Sequence, residues 1–213
     1  MRLALKKLGV ADQGKALIQT MQQLRQRGWC DGTGGNFSVV ISQNPLKLLM
    51  APSGVDKGSL TSKQLIQVDE DGNVLVGEGP ASAETLMHLK IVEWAKAGAV
   101  LHTHSPTATC LSRHHKKNEG IIIEGLEMLK GLRGISTHAT SISLPIIDNS
   151  QSLVELTTSA HPWIAEAPHG LLVAGHGLYA WGKDLEEAQR HLEILEFLLE
   201  VTWKELVLQN MNQ

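Results

Sequence analysis

Two histidines separated by one residue, His102-Thr103-His104, follow a short apolar run, Ala99-Val100-Leu101, that reads as a buried strand. Residues i and i+2 of a strand share a face, so the two imidazoles stand side by side, ready to offer two ligands to one divalent metal. A pair of half-exposed strand histidines fits the spacing equally well, because two imidazoles are not yet a site. A third imidazole, His176, sits in Gly175-His176-Gly177, where glycine on both sides removes bulk and lets another backbone or a ligand come close. Two carboxylates could move protons near such a centre. Glu84 falls in the first turn of a predicted helix, where it could equally serve only to complement the helix dipole. Glu127 lies among apolar residues with Lys130 one turn on, so it is either salt-bridged or raised in pKa toward proton transfer.

A second group of residues has the composition of an anion site. Asp31-Gly32-Thr33-Gly34-Gly35-Asn36-Phe37-Ser38 concentrates glycine and small polar residues ahead of a strand. Such a loop can turn several backbone N–H groups toward one phosphate, although a plain glycine-rich turn has the same composition. Ala51-Pro52-Ser53-Gly54 ends the next strand, and an antiparallel hairpin would bring Ser53 and Gly54 beside Gly35 and Asn36. Ser82, a candidate N-cap, adds a helix N-terminus, which also favours an anion.

The elements that must position these residues follow from periodicity. Residues 12–27 carry Leu17, Ile18, Met21 and Leu24 on one helical face, with Gly28 placed to end the helix. Residues 37–41 and 46–51 read as one hairpin, and residues 65–68 and 74–76 as another. A helix opens near Ser82 and ends at Gly98. Residues 106–112 form a short helix, residues 113–120 a charged surface loop in which His114 and His115 are poor ligands, and residues 121–132 a buried apolar stretch. Residues 143–147 read as an edge strand because Pro145 lacks a donor. A helix over residues 153–160, a strand, the Gly-His-Gly bend and a second strand lead to a capped C-terminal helix with an apolar stripe from Leu185 to about Leu208.

At 213 residues and 42% hydrophobic content, one domain over residues 1–213 is expected. A net charge of −3 without a basic block argues against nucleic acid or an anionic membrane as partner and for a small molecule. Cys30 and Cys110 form no Cys-x-x-Cys pair, and residues 1–10 are basic without a long apolar core, so a reducing cytoplasmic setting is expected.

In order and spacing, Gly34-Gly35-Asn36-Phe37-Ser38, Ala51-Pro52-Ser53-Gly54, Ser82-Ala83-Glu84, His102-Thr103-His104-Ser105 and Gly175-His176-Gly177 resemble the class II aldolase and adducin-head superfamily over nearly the whole chain. The resemblance implies an α/β fold, a mainly antiparallel central sheet sandwiched by helices. It also implies one Zn²⁺ on His102, His104 and His176, and a homo-oligomer, commonly a tetramer. Glu127-Met128-Leu129-Lys130-Gly131-Leu132, Pro145-Ile146-Ile147-Asp148-Asn149 and Tyr179-Ala180-Trp181-Gly182 look most like its methylthioribulose-1-phosphate dehydratases of methionine salvage. That likeness implies dehydration of 5-methylthioribulose 1-phosphate to 2,3-diketo-5-methylthiopentyl 1-phosphate, with the metal as Lewis acid. Glu127 matches the family's general acid/base, and its apolar setting would keep it protonatable near neutral pH. Glu84 matches the acid/base of the superfamily's aldolases. Gly35, Asn36, Ser53, Gly54 and Ser82 match the phosphate cradle, and Ala83 stands where a second serine is usual. An aldolase or epimerase of the fuculose-1-phosphate or ribulose-5-phosphate type would use the same metal and cradle with Glu84. An adducin-like interaction module would have lost the histidines, and all three remain.

Overall fold

The computed structural model describes residues 9–211, so most of the basic stretch over residues 1–10 lies outside it. Along the chain run α1 (Val10–Gln26), β1 (Asn36–Gln43), β2 (Leu46–Met50), β3 (Ile66–Val68), β4 (Val74–Val76), α2 (Thr85–Ala95), β5 (Ala99–Thr103) and α3 (Pro106–His114). Then come β6 (Gly120–Glu124), β7 (Ser141–Ile147), α4 (Leu153–Ile164), β8 (Gly170–Val173), β9 (Gly177–Gly182) and α5 (Leu185–Met211). The nine strands form one sheet in the order β4-β3-β2-β1-β5-β9-β8-β7-β6. Only β7 and β8 pair in parallel, so the sheet is mainly antiparallel, as expected.

Strand alternation builds two cores. Val39, Ala99, Leu101, Leu172, Leu178 and Ala180 pack against Leu17 and Met21 of α1, Leu111 of α3 and Leu192 and Leu195 of α5. Their neighbours one position along, Val40, Val100, Leu171, Val173, Tyr179 and Trp181, pack on the other face against Met87 and Ile91 of α2 and Leu156 and Ala160 of α4. This period-two division is what a sheet buried on both faces requires. The central strand β5 is wholly buried between β1 and β9. Its register sets Asn36, His102 and Tyr179 in one row across three strands, on the α2 side.

Three expectations change. β7 is not the edge: it lies between β6 and β8. Pro145 is accommodated because β8 pairs only with Ile146 and Ile147, leaving the proline facing β6 alone. β6 is the edge on that side, and the apolar stretch around it is half buried, with Ile121 and Ile123 inside and Ile122 64% exposed. Finally, α2 starts at Thr85, and Glu84 occupies its N-cap position rather than Ser82. The Ser82 carbonyl accepts from Thr85 N–H and its hydroxyl from Glu84 N–H, so the serine shapes the turn before the helix.

Candidate metal centre and anion cradle

His102 is the last residue but one of the buried strand, and its Nδ1–H donates to the Leu178 carbonyl at 3.0 Å, which leaves Nε2 as an acceptor. His104 follows just past the strand end, fixed by its own N–H to the Trp29 carbonyl at 2.7 Å. His176 is carried by the turn between β8 and β9, and Thr109 Oγ1 donates to its carbonyl at 3.0 Å. The glycine after it is obligatory: a Cβ on Gly177 would stand 1.9 Å from the Thr103 carbonyl oxygen, so only glycine lets β9 start against β5. The three Nε2 atoms lie 2.8, 3.0 and 3.3 Å apart. Glu84 closes the group, with carboxylate oxygens 3.4 Å from His176 Nε2 and 3.5 Å from His102 Nε2.

These four ligand atoms all fall within 4.8 Å of one another, a candidate metal-binding cluster. Burial, reinforced by the neighbouring imidazoles, pushes His102 well below its ordinary pKa and His104 down to about 4, so both are neutral near pH 7. With the His102 proton committed to Leu178, its Nε2 lone pair faces two more ring nitrogens. A divalent cation shared by the three satisfies those lone pairs together, so the donor set fits a metal.

Behind Glu84 runs a directed chain of hydrogen bonds. Ser38 Oγ lies 2.7 Å from His88 Nδ1, His88 Nε2 meets Asn36 Oδ1, and Asn36 Nδ2 donates to Glu84 Oε2. The acceptor character of the Asn36 oxygen fixes the proton on His88 Nε2, and burial holds His88 neutral, down to about 3. Tyr179 stacks on His102 at 3.9 Å between centroids. Burial, with the Glu84 carboxylate nearby, keeps its phenol protonated well above the ordinary value.

Beside the cluster opens a cavity of about 250 Å³ lined by Thr33, Gly34, Gly35, Asn36, Ser53, Gly54, Lys57, Ser82 and His104, among others. The hairpin therefore brings the glycine loop and the Ser53-Gly54 turn together, as the antiparallel pairing predicted. Gly35 has φ +75°, and a Cβ there would sit 2.8 Å from the His102 carbonyl, so this loop can approach the histidine strand only as glycine. Asn36 lines the cavity, but its amide is committed to His88 and Glu84.

Residues 15–203 match the family described as Class II Aldolase and Adducin N-terminal domain. The chain belongs to this family. Its relatives include proteins named methylthioribulose-1-phosphate dehydratase. The one from Serratia proteamaculans (strain 568) is 42% identical over 189 residues, 87% of this chain and 91% of that relative. Another, from Pseudoalteromonas translucida (strain TAC 125), is 41% identical over 185 residues, 85% of this chain and 86% of the relative. Among solved structures, l-fuculose-1-phosphate aldolase from Thermus thermophilus superposes with a TM-score of 0.76 at 25% identity, covering 94% of this chain and 98% of that one. The family resemblance read from the motifs is borne out.

Within this class II aldolase-family chain, one candidate stands apart from the rest. Glu127 opens a 3₁₀ turn, Glu127–Gly131, with its side chain 70% exposed, paired to Lys130 at 2.7 Å and His138 at 3.3 Å. Its hydrogen bond and charge contact with Lys130 hold the carboxyl below its usual range. Of the two settings that the sequence left open, the salt bridge to Lys130 is the one found, and the apolar, pKa-raising setting is overturned: around the turn Leu129 and Leu132 go inward while Glu127 stays exposed. Lys130 is committed to Glu127 and does not line the cavity. Three contributors escaped sequence reasoning: His88, Lys57, and Glu196 of α5. Glu196 accepts from Thr103 Oγ1 at 2.8 Å and Ser105 Oγ at 2.6 Å on the side of β5 away from His102.

Proposed function

We propose that this chain is a metal-dependent hydro-lyase that dehydrates 5-methylthioribulose 1-phosphate to 2,3-diketo-5-methylthiopentyl 1-phosphate. The observation that carries the reading is a juxtaposition: His104 belongs both to the metal-ligand cluster and to the wall of the anion cavity. A phosphate seated there would set the first carbons of its sugar against the cluster. The named relatives at 41–42% identity supply the substrate.

Zn²⁺ on His102, His104 and His176 would supply Lewis-acid polarisation of the C2 carbonyl and so acidify the C3 proton. The chain's residues do the rest. Leu178 fixes the His102 tautomer, and Asn36 and His88 aim the Glu84 carboxylate at the reacting carbons. Glu84 takes the C3 proton. The C4 hydroxyl leaves as water with a proton from a second acid, and the enol left behind tautomerises to the diketone. Glu127 is that acid, and it acts in the site of a neighbouring copy: its partners in its own subunit are Lys130 and His138, neither of them in the cluster. Seating beside a second copy's cluster, away from water, would reverse the lowering that Lys130 imposes. Gly35 and Asn36 through their backbone, with Ser53, Gly54 and Ser82, hold the phosphate. The working form is a homotetramer of single-domain subunits in the cytoplasm. Both cysteines are free, and no helix among the described residues is long and apolar enough to cross a membrane.

A second reading, a sugar-phosphate aldolase or epimerase that uses Glu84 alone, is favoured by the placement of Glu84 in the cluster. One experiment separates them: turnover of methylthioribulose 1-phosphate, fuculose 1-phosphate and ribulose 5-phosphate by zinc-loaded wild type, Glu84→Gln and Glu127→Gln. Dehydration of the first substrate alone, lost in Glu127→Gln, is expected. Cleavage or epimerisation of another sugar phosphate, insensitive to Glu127→Gln, would replace the dehydratase by the second reading.

A further inference from the structure

Lys57 is a buried lysine in the wall of the cavity. It is 2% exposed and lines the same space as Gly35, Ser53, Gly54, Ser82 and His104. Its ammonium has three N–H donors, and two are given to backbone carbonyls, Thr33 at 3.1 Å and Val55 at 2.9 Å. Those carbonyls belong to the two loops that form the cradle, the glycine loop before β1 and the turn after β2. The acids next to these loops, Asp31 and Asp56, both pair with Arg25 on the outer side. Among the described residues no carboxylate oxygen lies within 4.0 Å of the Lys57 ammonium.

A charge taken out of water without a partner is costly, and proteins keep such a charge where something else is to neutralise it. Burial accordingly lowers the Lys57 pKa, against the raising influence of Cys30 and Asp56. One N–H remains for the cavity. The groups around it, serine hydroxyls and the backbone of glycine-bearing turns, are donors suited to a multiply charged tetrahedral anion rather than to a flat neutral group.

We propose that Lys57 is the cationic contact of the cradle: one N–H is given to the phosphate of the substrate, and the other two hold the cradle's loops at the spacing that phosphate requires. This assignment rests on the reading that the substrate is a sugar phosphate. It makes Lys57 a binding residue, whose loss falls on KM and on anion affinity more than on kcat.

The test uses the metal-loaded full chain and inorganic phosphate as the probe. Calorimetry should show phosphate binding to wild type and a loss of about 10- to 100-fold in Lys57→Met, which keeps the apolar stem and removes the charge. The KM for the sugar phosphate should rise by a similar factor while metal content stays at that of wild type. Phosphate binding undiminished in a folded Lys57→Met would overturn the assignment and leave Lys57 as a tie between loops. If wild type binds no phosphate, the sugar-phosphate reading itself fails. Should Lys57→Met not fold, the Lys57 Nζ resonance of wild type decides: a shift on adding phosphate supports the contact, and an unmoved resonance ends it.

Discussion

Glu84 and Glu127 are carboxylates of equal reach in opposite surroundings. Glu84 is 15% exposed, and both its oxygens are placed, one toward His176 and the other shared by Asn36 and His102. Glu127 is 70% exposed on a surface turn, held by Lys130 and His138. The first is pre-organised within one subunit, the condition under which a proton-transfer group works without first having to be oriented. The second has no such placement: Lys130 and its exposure set its properties. Fixed buried partners thus set the properties of one carboxylate and exposure those of the other, and mutations should separate them.

The largest effect should come from Glu84→Gln, which keeps the shape and removes the base. Turnover should fall about 10²- to 10⁴-fold at any protein concentration, and metal analysis should still find the three-histidine site loaded. Retained turnover would remove Glu84 from the mechanism. Glu127→Gln should lower kcat by roughly 10²-fold or more, yet leave the melting temperature where it was, as befits an exposed side chain. Mixing subunits sharpens the comparison. Glu84→Gln and Glu127→Gln proteins, each inactive, should recover activity when dissociated and reassembled together, because one copy then supplies each carboxylate. No recovery would place both carboxylates in the service of a single subunit.

A smaller effect is expected one step back from Glu84. His88→Ala removes the donor to Asn36 and frees the amide that aims the carboxylate. It should cost about 1 to 3 kcal/mol in stability, because buried polar groups are left unsatisfied. It should also lower kcat by roughly tenfold, the rate equivalent of about 1.4 kcal/mol. In a Glu84→Gln background the kcat loss should disappear, since His88 acts through Glu84; a loss that persists there points to general damage.

How far the sequence carried these surroundings depended on whether a residue's environment was local. The histidine pair was legible because an apolar triplet and a two-residue repeat fix a face without reference to the rest of the fold. His176 was legible because Gly177 leaves a mark of the close approach it permits. The glycine loop and the Ser53-Gly54 turn could be joined because a hairpin links them in sequence. The Glu127–Lys130 salt bridge was legible from spacing, but the apolar setting was misread because apolar density along the chain is not burial: β6 is one edge of the sheet, and the 3₁₀ turn sends Met128 outward while Leu129 goes in. Lys57 was invisible, since a lone lysine after a turn reads as solvated, and one of its carbonyl partners lies 24 residues away. Pro145 misled because an edge strand is only one way of tolerating a missing donor.

Glu196 was available to reading and was passed over. It stands four residues after Leu192 and three before Leu199, inside the apolar stripe of α5, and the strand alternation that puts His102 on one face puts Thr103 on the other. It also supplies a third carboxylate for comparison, one neither aimed at the cluster nor open to water. Burial pushes it up to about 7, only partly offset by the hydroxyls of Ser105 and Thr103. A carboxyl whose pKa is higher in the folded than in the unfolded chain holds a proton that the unfolded chain has already lost. Folding stability is thus intact below about pH 4.5, falls as pH rises through this window, and is fully reduced above about pH 7. A displacement of that size corresponds to about 3 kcal/mol at most. Glu196→Gln cannot ionise, so urea unfolding of wild type and variant should converge toward pH 5 and diverge above pH 7, with the variant the more stable. Parallel curves from pH 5 to 8 would mean that Thr103 and Ser105 already hold the carboxylate charged, and that the histidine strand is braced by an ionised group.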